Sequence, residues 1–163
     1  MFPDRLTDAA RAVLAAAERQ GLKLVTAESC TGGLIAACLT SIPGSSAVFE
    51  RGLVTYSNEA KTELLGVPST LIVAKGAVSE EVARAMAEGA LAHAHADLSV
   101  SVTGIAGPDG GSAEKPVGLV HFAAARQGRA TLHEEHRFGN IGRHAVQVES
   151  AAVALRMLLQ LLA

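Results

Sequence analysis

The chain has 163 residues, with 14 Lys and Arg against 16 Asp and Glu, a formal net charge of −2, and 49% hydrophobic residues. That is the size and apolar content of one globular domain with a full core, and charged residues at 18% argue against a disordered chain. No run approaches the ~18 consecutive apolar residues of a membrane span, and no block of Lys and Arg offers the phosphate neutralisation that nucleic-acid binding needs. Aromatic residues at 3%, with no Trp and one Tyr, also leave no platform for stacked bases, so the expected partner is a small molecule. Cys30 and Cys38 are too few for a disulfide framework, and the start Met1-Phe2-Pro3-Asp4-Arg5 lacks the basic and apolar regions of a signal peptide. A cytoplasmic protein is expected, acting as a homo-oligomer, most simply a dimer.

Leu6, Ala10, Val13, Leu14 and Ala17 repeat at helical spacing, and Gly21 marks where this first helix stops. Residues 22–26 read as a short buried strand that runs into Glu28-Ser29-Cys30-Thr31-Gly32-Gly33, after which 34–39 resume as a helix ending before Pro43-Gly44. Residues 48–57 make a second strand. Asn58 is placed to cap a short helix with Leu64 and Leu65 inward, Gly66 past its end and Pro68 beyond. Ser79 caps a longer helix whose first turn carries Glu80 and Glu81 and whose inner face carries Val82, Met86 and Ala90. A third strand, 98–103, runs into the Gly- and Pro-rich loop 104–111. Strands at 117–125 and 131–138 flank Gln127-Gly128-Arg129 as a hairpin, and Ala145, Val148, Ala152, Leu155, Leu159 and Leu162 define a final helix. Strands separated by helices, then a hairpin, predict an α/β fold: a three-layer α/β/α sandwich around a mixed, mostly parallel sheet of five strands, as a single domain over 1–163.

Ligands of such sheets bind beyond the carboxyl ends of strands, and both unusual loops, 28–33 and 104–111, follow strands. The first joins a strand to a helix, so its backbone N–H groups are free to hold a phosphate or a developing oxyanion, although small-residue junctions of this kind are also ordinary structural turns. It carries two adjacent nucleophiles. Cys30 is intrinsically the stronger, but a thiolate wants a nearby histidine, and Cys30 with Cys38 reads as readily as small core residues. Ser29 needs a base. Lys61 lies in the first turn of the helix starting near Asn58, where the positive helix end disfavours a second positive charge, and a neutral lysine can take the serine proton; read alone, it is as readily a solvated lysine. The six histidines show no metal-ligand spacing: His93 and His95 fall on different helix faces, and His133 and His136 on opposite sides of a strand. They are expected at the surface, with no metal. The loop 104–111 is not a dinucleotide fingerprint but can approach a ligand closely, and Arg143, opening the last helix, is either an anion ligand or a surface charge.

Four segments stand in order along nearly the whole chain: Thr26-Ala27-Glu28-Ser29-Cys30-Thr31-Gly32-Gly33, Tyr56-Ser57-Asn58-Glu59-Ala60-Lys61, Gly76-Ala77-Val78-Ser79, and Thr103-Gly104-Ile105-Ala106-Gly107-Pro108-Asp109-Gly110-Gly111. Together they resemble the CinA C-terminal family, which includes amidases of nicotinamide mononucleotide. The resemblance implies deamidation of that nucleotide to nicotinic acid mononucleotide and ammonia, within pyridine nucleotide salvage and without a cofactor. It also implies roles: Ser29 as nucleophile, Lys61 as base and Arg143 as an arginine needed for activity. Cys30, Thr31, Gly32, Gly33, Tyr56, Thr103, Gly104, Ile105, Ala106 and Gly107 are the implied substrate contacts, with the N–H groups near Cys30 and Thr31 holding the oxyanion. The pattern departs at Gln147, where relatives carry a second arginine. Larger CinA proteins have a separate N-terminal domain that these segments do not include. The competing expectation is a nucleotide-binding or partner-recruiting module without turnover; Ser29, Lys61 and Arg143 together favour the enzyme, because a binder needs no base beside a serine.

Overall fold

The computed structural model describes residues 1–163. Its sheet has five strands in the order β2-β1-β3-β4-β5. The first strand, β1 (Leu24–Glu28), lies between β2 (Phe49–Val54) and β3 (Leu98–Gly104) and is parallel to both. The hairpin strands β4 (Leu119–Arg126) and β5 (Leu132–Arg137) extend the sheet antiparallel, so that β4 alone runs against the common direction. The three inner strands are buried along nearly their whole length, while the edge strands β2 and β5 alternate between half-buried and exposed positions. This is what covering both faces of a sheet demands of its centre.

Strand alternation divides the core. On one face Leu24, Leu98, Val100, Val102, Val120 and Phe122 pack with α1 (Asp4–Arg19), α2 (Leu34–Thr40) and α6 (Arg143–Leu162). On the other, Val25 and Ala27 meet Leu65 of α3 (Asn58–Leu65), Ile72 of α4 (Ser69–Lys75), and Val82, Met86 and Ala90 of α5 (Glu80–Ala92). There β3 presents Ser99, Ser101 and Thr103, whose hydroxyls donate to the carbonyls of Ala87, Ala83 and Ala77 at 2.6, 2.6 and 2.8 Å. The two serines are thereby satisfied by α5, which covers them, and Thr103 by the turn that leads into it. Ala83 and Ala87 of α5 pack on Ala123 and Ala125 of β4, so the helix lies close to the sheet.

Several boundaries differ from the sequence expectation. β1 continues to Glu28, and β2 stops at Val54 because the chain turns there towards α3. The cap of α3 is Ser57, whose hydroxyl accepts the Ala60 N–H at 3.0 Å; Asn58 is the first helical residue. α4 was not expected: Pro68, read as a break, precedes its first residue with φ −59°, where a proline is already in helical φ and its missing N–H costs nothing. α6 has no uninterrupted apolar run, yet by length and composition alone it is apolar enough to cross a bilayer, with mean hydropathy 1.4 over 18 residues. Its apolar side chains are used inside the protein, where Val146, Ala151, Leu155 and Leu158 are fully buried against α1 and the sheet.

Candidate active site

The carboxyl ends of β1, β2 and β3 lie side by side, and a cleft of about 290 Å³ opens at them. Alternation along β1 sends its last two functional residues to opposite faces. Glu28 turns towards α2, where its carboxylate accepts the N–H groups of Ile35 at 2.9 Å and Ala36 at 3.0 Å. These are orphan donors of the first helical turn, and the N-cap, Gly33 at φ 102°, has no side chain to offer them. Ser29 continues the ladder, its N–H donating to Val102 O at 3.0 Å, and lines the cleft on the α3 side.

Lys61 comes to Ser29 from α3. Helical side chains tilt towards the N-terminus, and this one carries its amine back along the chain to the Thr55 carbonyl at 2.8 Å, those of Tyr56 and Ser57 at 3.5 Å, and Ser29 Oγ at 3.0 Å. Lys61 is only 1% exposed, and burial holds its pKa below the ordinary lysine value. Burial is thus the cause of the shift. Glu59 lies in the neighbouring groove between α3 and α4, away from the amine. Burial also pushes the Cys30 thiol up to about 12, so at neutral pH Cys30 is a protonated thiol in the cleft wall, and it is Ser29 that has the Lys61 amine beside it.

The rim is tied together by α6. Arg143, its first residue, donates to Gly107 O and to the Tyr56 hydroxyl, both at 2.8 Å. Gln147, one turn on, donates to Cys30 O at 3.1 Å. The structure therefore brings Ser29, Cys30, Tyr56, Lys61, Thr103, Gly104, Ile105, Ala106, Gly107 and Arg143 to one cleft. Thr31, Gly32 and Gly33 do not line it. They are needed to turn the chain: Gly32 N–H donates to Ser29 O, Leu34 N–H to Thr31 O, and Gly33 opens α2. Asn58, Ala77, Val78, Asp109 and Gly110 also line the cleft. Asp109 and Gly110 belong to the loop already singled out. Ala77 and Val78 were quoted in a motif without a role, and Glu28 likewise; the available signal for Glu28 was an acid ending an apolar strand just before a helix with a glycine cap.

A larger groove of about 360 Å³ between α3 and α4 is lined by Asn58, Glu59, Thr62, Glu63, Ser69, Ile72 and Val73. It offers no paired nucleophile and base, so chemistry, not volume, selects the cleft. No group of three or more His, Cys, Asp or Glu side chains is arranged to hold a metal ion. The histidines are not all at the surface: His121 sits on the inner strand β4, buried, with Nδ1 2.9 Å from His133 Nε2, and burial followed by His133 lowers its pKa. His136 faces the other side, stacked on Phe138, while His93 follows the end of α5.

A three-layer α/β protein with a polar cleft at the carboxyl ends of its parallel strands, and a serine and a buried lysine meeting there, is the class that fold and site define. The chain belongs to the CinA C-terminal domain family, whose profile matches residues 6–162. It is 50% identical to the nicotinamide-nucleotide amidohydrolase PncC of Enterobacter agglomerans, over 98% of this chain and 97% of that one. It is 55% identical to a CinA-like protein of Geobacter sulfurreducens over 83% of this chain, which is 32% of that protein. Against the first such longer relatives the chain spans between 26% and 32% of their length. Among solved structures, the competence/damage inducible protein CihA of Agrobacterium tumefaciens superposes with a TM-score of 0.97 at 50% identity, covering 99% of this chain and 98% of that one.

Proposed function

We propose that the chain is an amidohydrolase that converts nicotinamide mononucleotide to nicotinic acid mononucleotide and ammonia, with Ser29 as nucleophile and Lys61 as general base. The observation that carries the reading is the 3.0 Å contact between Ser29 Oγ and a buried lysine amine whose pKa is lowered. The nicotinamide-nucleotide amidohydrolase PncC of Enterobacter agglomerans, similar over nearly the whole of both chains, supports the substrate.

A neutral lysine amine has two N–H bonds and one lone pair. The Thr55 carbonyl at 2.8 Å and the carbonyls at 3.5 Å receive the N–H groups, which leaves the lone pair for the Ser29 hydroxyl. Lys61 takes that proton as Oγ attacks the carboxamide carbon. The carbonyl π electrons move to oxygen, and the oxyanion is held by the N–H of Cys30, which lines the cleft, supported by that of Thr31 from the turn behind the cleft lining; neither makes a hydrogen bond to another residue. As the C–N bond breaks, Lys61 returns the proton to the leaving nitrogen and ammonia departs. Water then adds to the acyl-enzyme and gives a proton to Lys61, which restores it to Ser29 Oγ as the acid leaves. The cationic pyridinium ring makes the carboxamide a better electrophile, Tyr56 lies at the rim to meet the ring, and Arg143 brings positive charge suited to the nucleotide phosphate. A module that only bound a nucleotide would have no use for a lysine stripped of water beside a serine.

The test is ammonia release from nicotinamide mononucleotide by the purified chain, wild type against Ser29→Ala. The variant removes one hydroxyl from a small-residue turn, so it is expected to fold and to lose turnover. Substantial activity in Ser29→Ala, or none in the wild type, refutes the reading.

A further inference from the structure

We infer that Gln147 is a positioning residue for this reaction, fixing through the Cys30 carbonyl the direction of the backbone donors that follow the nucleophile; the inference rests on the amidohydrolase reading. Two peptide units connect Ser29 to Thr31, and each is held by its carbonyl. Ser29 O accepts the Gly32 N–H at 3.0 Å within the turn. Cys30 O accepts no backbone N–H; its partner is Gln147 Nε2 at 3.1 Å, reaching from a helix 117 positions away in sequence. In a trans peptide the C=O and the following N–H point in opposite directions. A carbonyl held on the α6 side therefore turns the Thr31 N–H away from α6, and the Gly32 contact sets the Cys30 N–H in the same manner. Neither N–H donates to another residue, as an oxyanion site requires.

The position of Gln147 adds to this. It is half-buried, its side chain makes no other hydrogen bond, and it stands one helical turn after Arg143, which holds Gly107 and Tyr56. Successive turns of α6 thus grip the two loops that bound the cleft. Without the Gln147 bond, the Cys30–Thr31 peptide has no protein partner on either side and is free to rotate. That rotation leaves the substrate-binding rim untouched but misdirects donors that matter most when negative charge develops.

The experiment compares Gln147→Leu, which keeps bulk without a donor, Gln147→Glu, which puts an acceptor against the carbonyl, and Gln147→Arg, which restores donors of sufficient reach. Leu and Glu are expected to lower kcat by roughly 10–100-fold with KM changed less than about twofold, and Arg to recover most of the loss, since removing oxyanion support acts on the transition state. A second readout needs no amide substrate: the rate at which a fluorophosphonate labels Ser29 should fall in Leu and Glu and recover in Arg. An unchanged kcat and labelling rate in Gln147→Leu, or a loss confined to KM, overturns the inference. So does lowered thermal stability with normal kcat. If the wild type releases no ammonia from nicotinamide mononucleotide, the substrate reading fails and the labelling rates alone decide the role of Gln147. A wild type that is neither active nor labelled refutes both.

Discussion

Replacing Glu28 tests how the nucleophile turn is anchored. The side chain is 1% exposed, and its two oxygens accept the N–H groups of Ile35 and Ala36 at 2.9 and 3.0 Å. In Glu28→Ala both donors lose their acceptor, and each buried donor left unsatisfied costs about 1–3 kcal/mol, for a combined loss of about 2–6 kcal/mol. Relief from burying a carboxylate offsets part of this, so the lower half of the range is expected. Against a total of about 5–15 kcal/mol for a domain, that is a large fraction. Glu28→Gln keeps one acceptor oxygen but turns an amide N–H towards the second donor, and should lose about half as much. Urea unfolding followed by circular dichroism measures both, and hydrogen exchange at Ile35 and Ala36 localises the effect. If Glu28→Ala loses less than about 0.5 kcal/mol, within the range of ordinary surface substitutions, or if Gln proves worse than Ala, the capping role is wrong.

The pH dependence of kcat/KM should show an acid limb set by Lys61: the neutral amine is the active form, so activity rises with pH through a pKa held below the free-lysine value of ~10.4. Lys61→Arg cannot accept a proton at working pH and should be nearly as inactive as Lys61→Ala while calorimetry still detects nucleotide binding; an active Arg variant would mean that charge, not base chemistry, is supplied. Because the folded-state pKa is depressed, the unfolded chain binds more protons between the two pKa values, and the wild type should gain stability relative to Lys61→Met as pH rises across that window. Cys30→Ala should keep most activity, since burial holds the thiol at about 12; a folded but dead variant would reverse the choice of nucleophile. Gly89→Ala should lower both stability and kcat, because a Cβ there would lie 1.9 Å from Leu65 O and push α3, with Lys61 on it, off α5; an unaffected kcat would mean that α3 yields without moving its lysine.

What the sequence disclosed and what it hid follow from the range of the forces involved. Helical and strand periodicities reflect burial on one face, and they locate β1, β3, β4 and α6 to within a few residues because those elements are largely buried, while β5, which has no fully buried residue, is placed by the Gln127-Gly128-Arg129 turn before it. The α4 helix escaped because its buried stripe amounts to Ile72 alone, with Val73 left exposed, so a proline before it reads as a stop. Ser29, Lys61 and Arg143 stand out in sequence because small-residue turns and helix starts are local features; the 3.0 Å contact across 32 positions is not. Whether Lys61 was solvated or buried depended on how closely α3 approaches the end of β1, which packing of Leu65 and Gly89 determines. Glu28 and Gln147 were illegible in role for the same reason: each acts on backbone that another element brings to it.

The surroundings of Lys61 pull in two directions, and counting hydrogen bonds shows which prevails. Carbonyl groups at 2.8 and 3.5 Å favour any amine hydrogen, charged or neutral. The neutral amine places two N–H groups among them and accepts from the Ser29 hydroxyl; the ammonium keeps those bonds and donates its third proton to Ser29 Oγ. The number of bonds is the same in both states, and only the direction of the Ser29 contact reverses. The ammonium's bonds are the stronger because they are charge-assisted, but desolvation opposes the charged form and is the largest cause of the lowered pKa. In the proposed reaction the same equality of number would mean that, as the proton crosses from Ser29 to Lys61, no partner of the amine has to be replaced. A site so arranged needs little reorganisation as charge appears, the condition under which fixed dipoles stabilise a transition state more than the ground state.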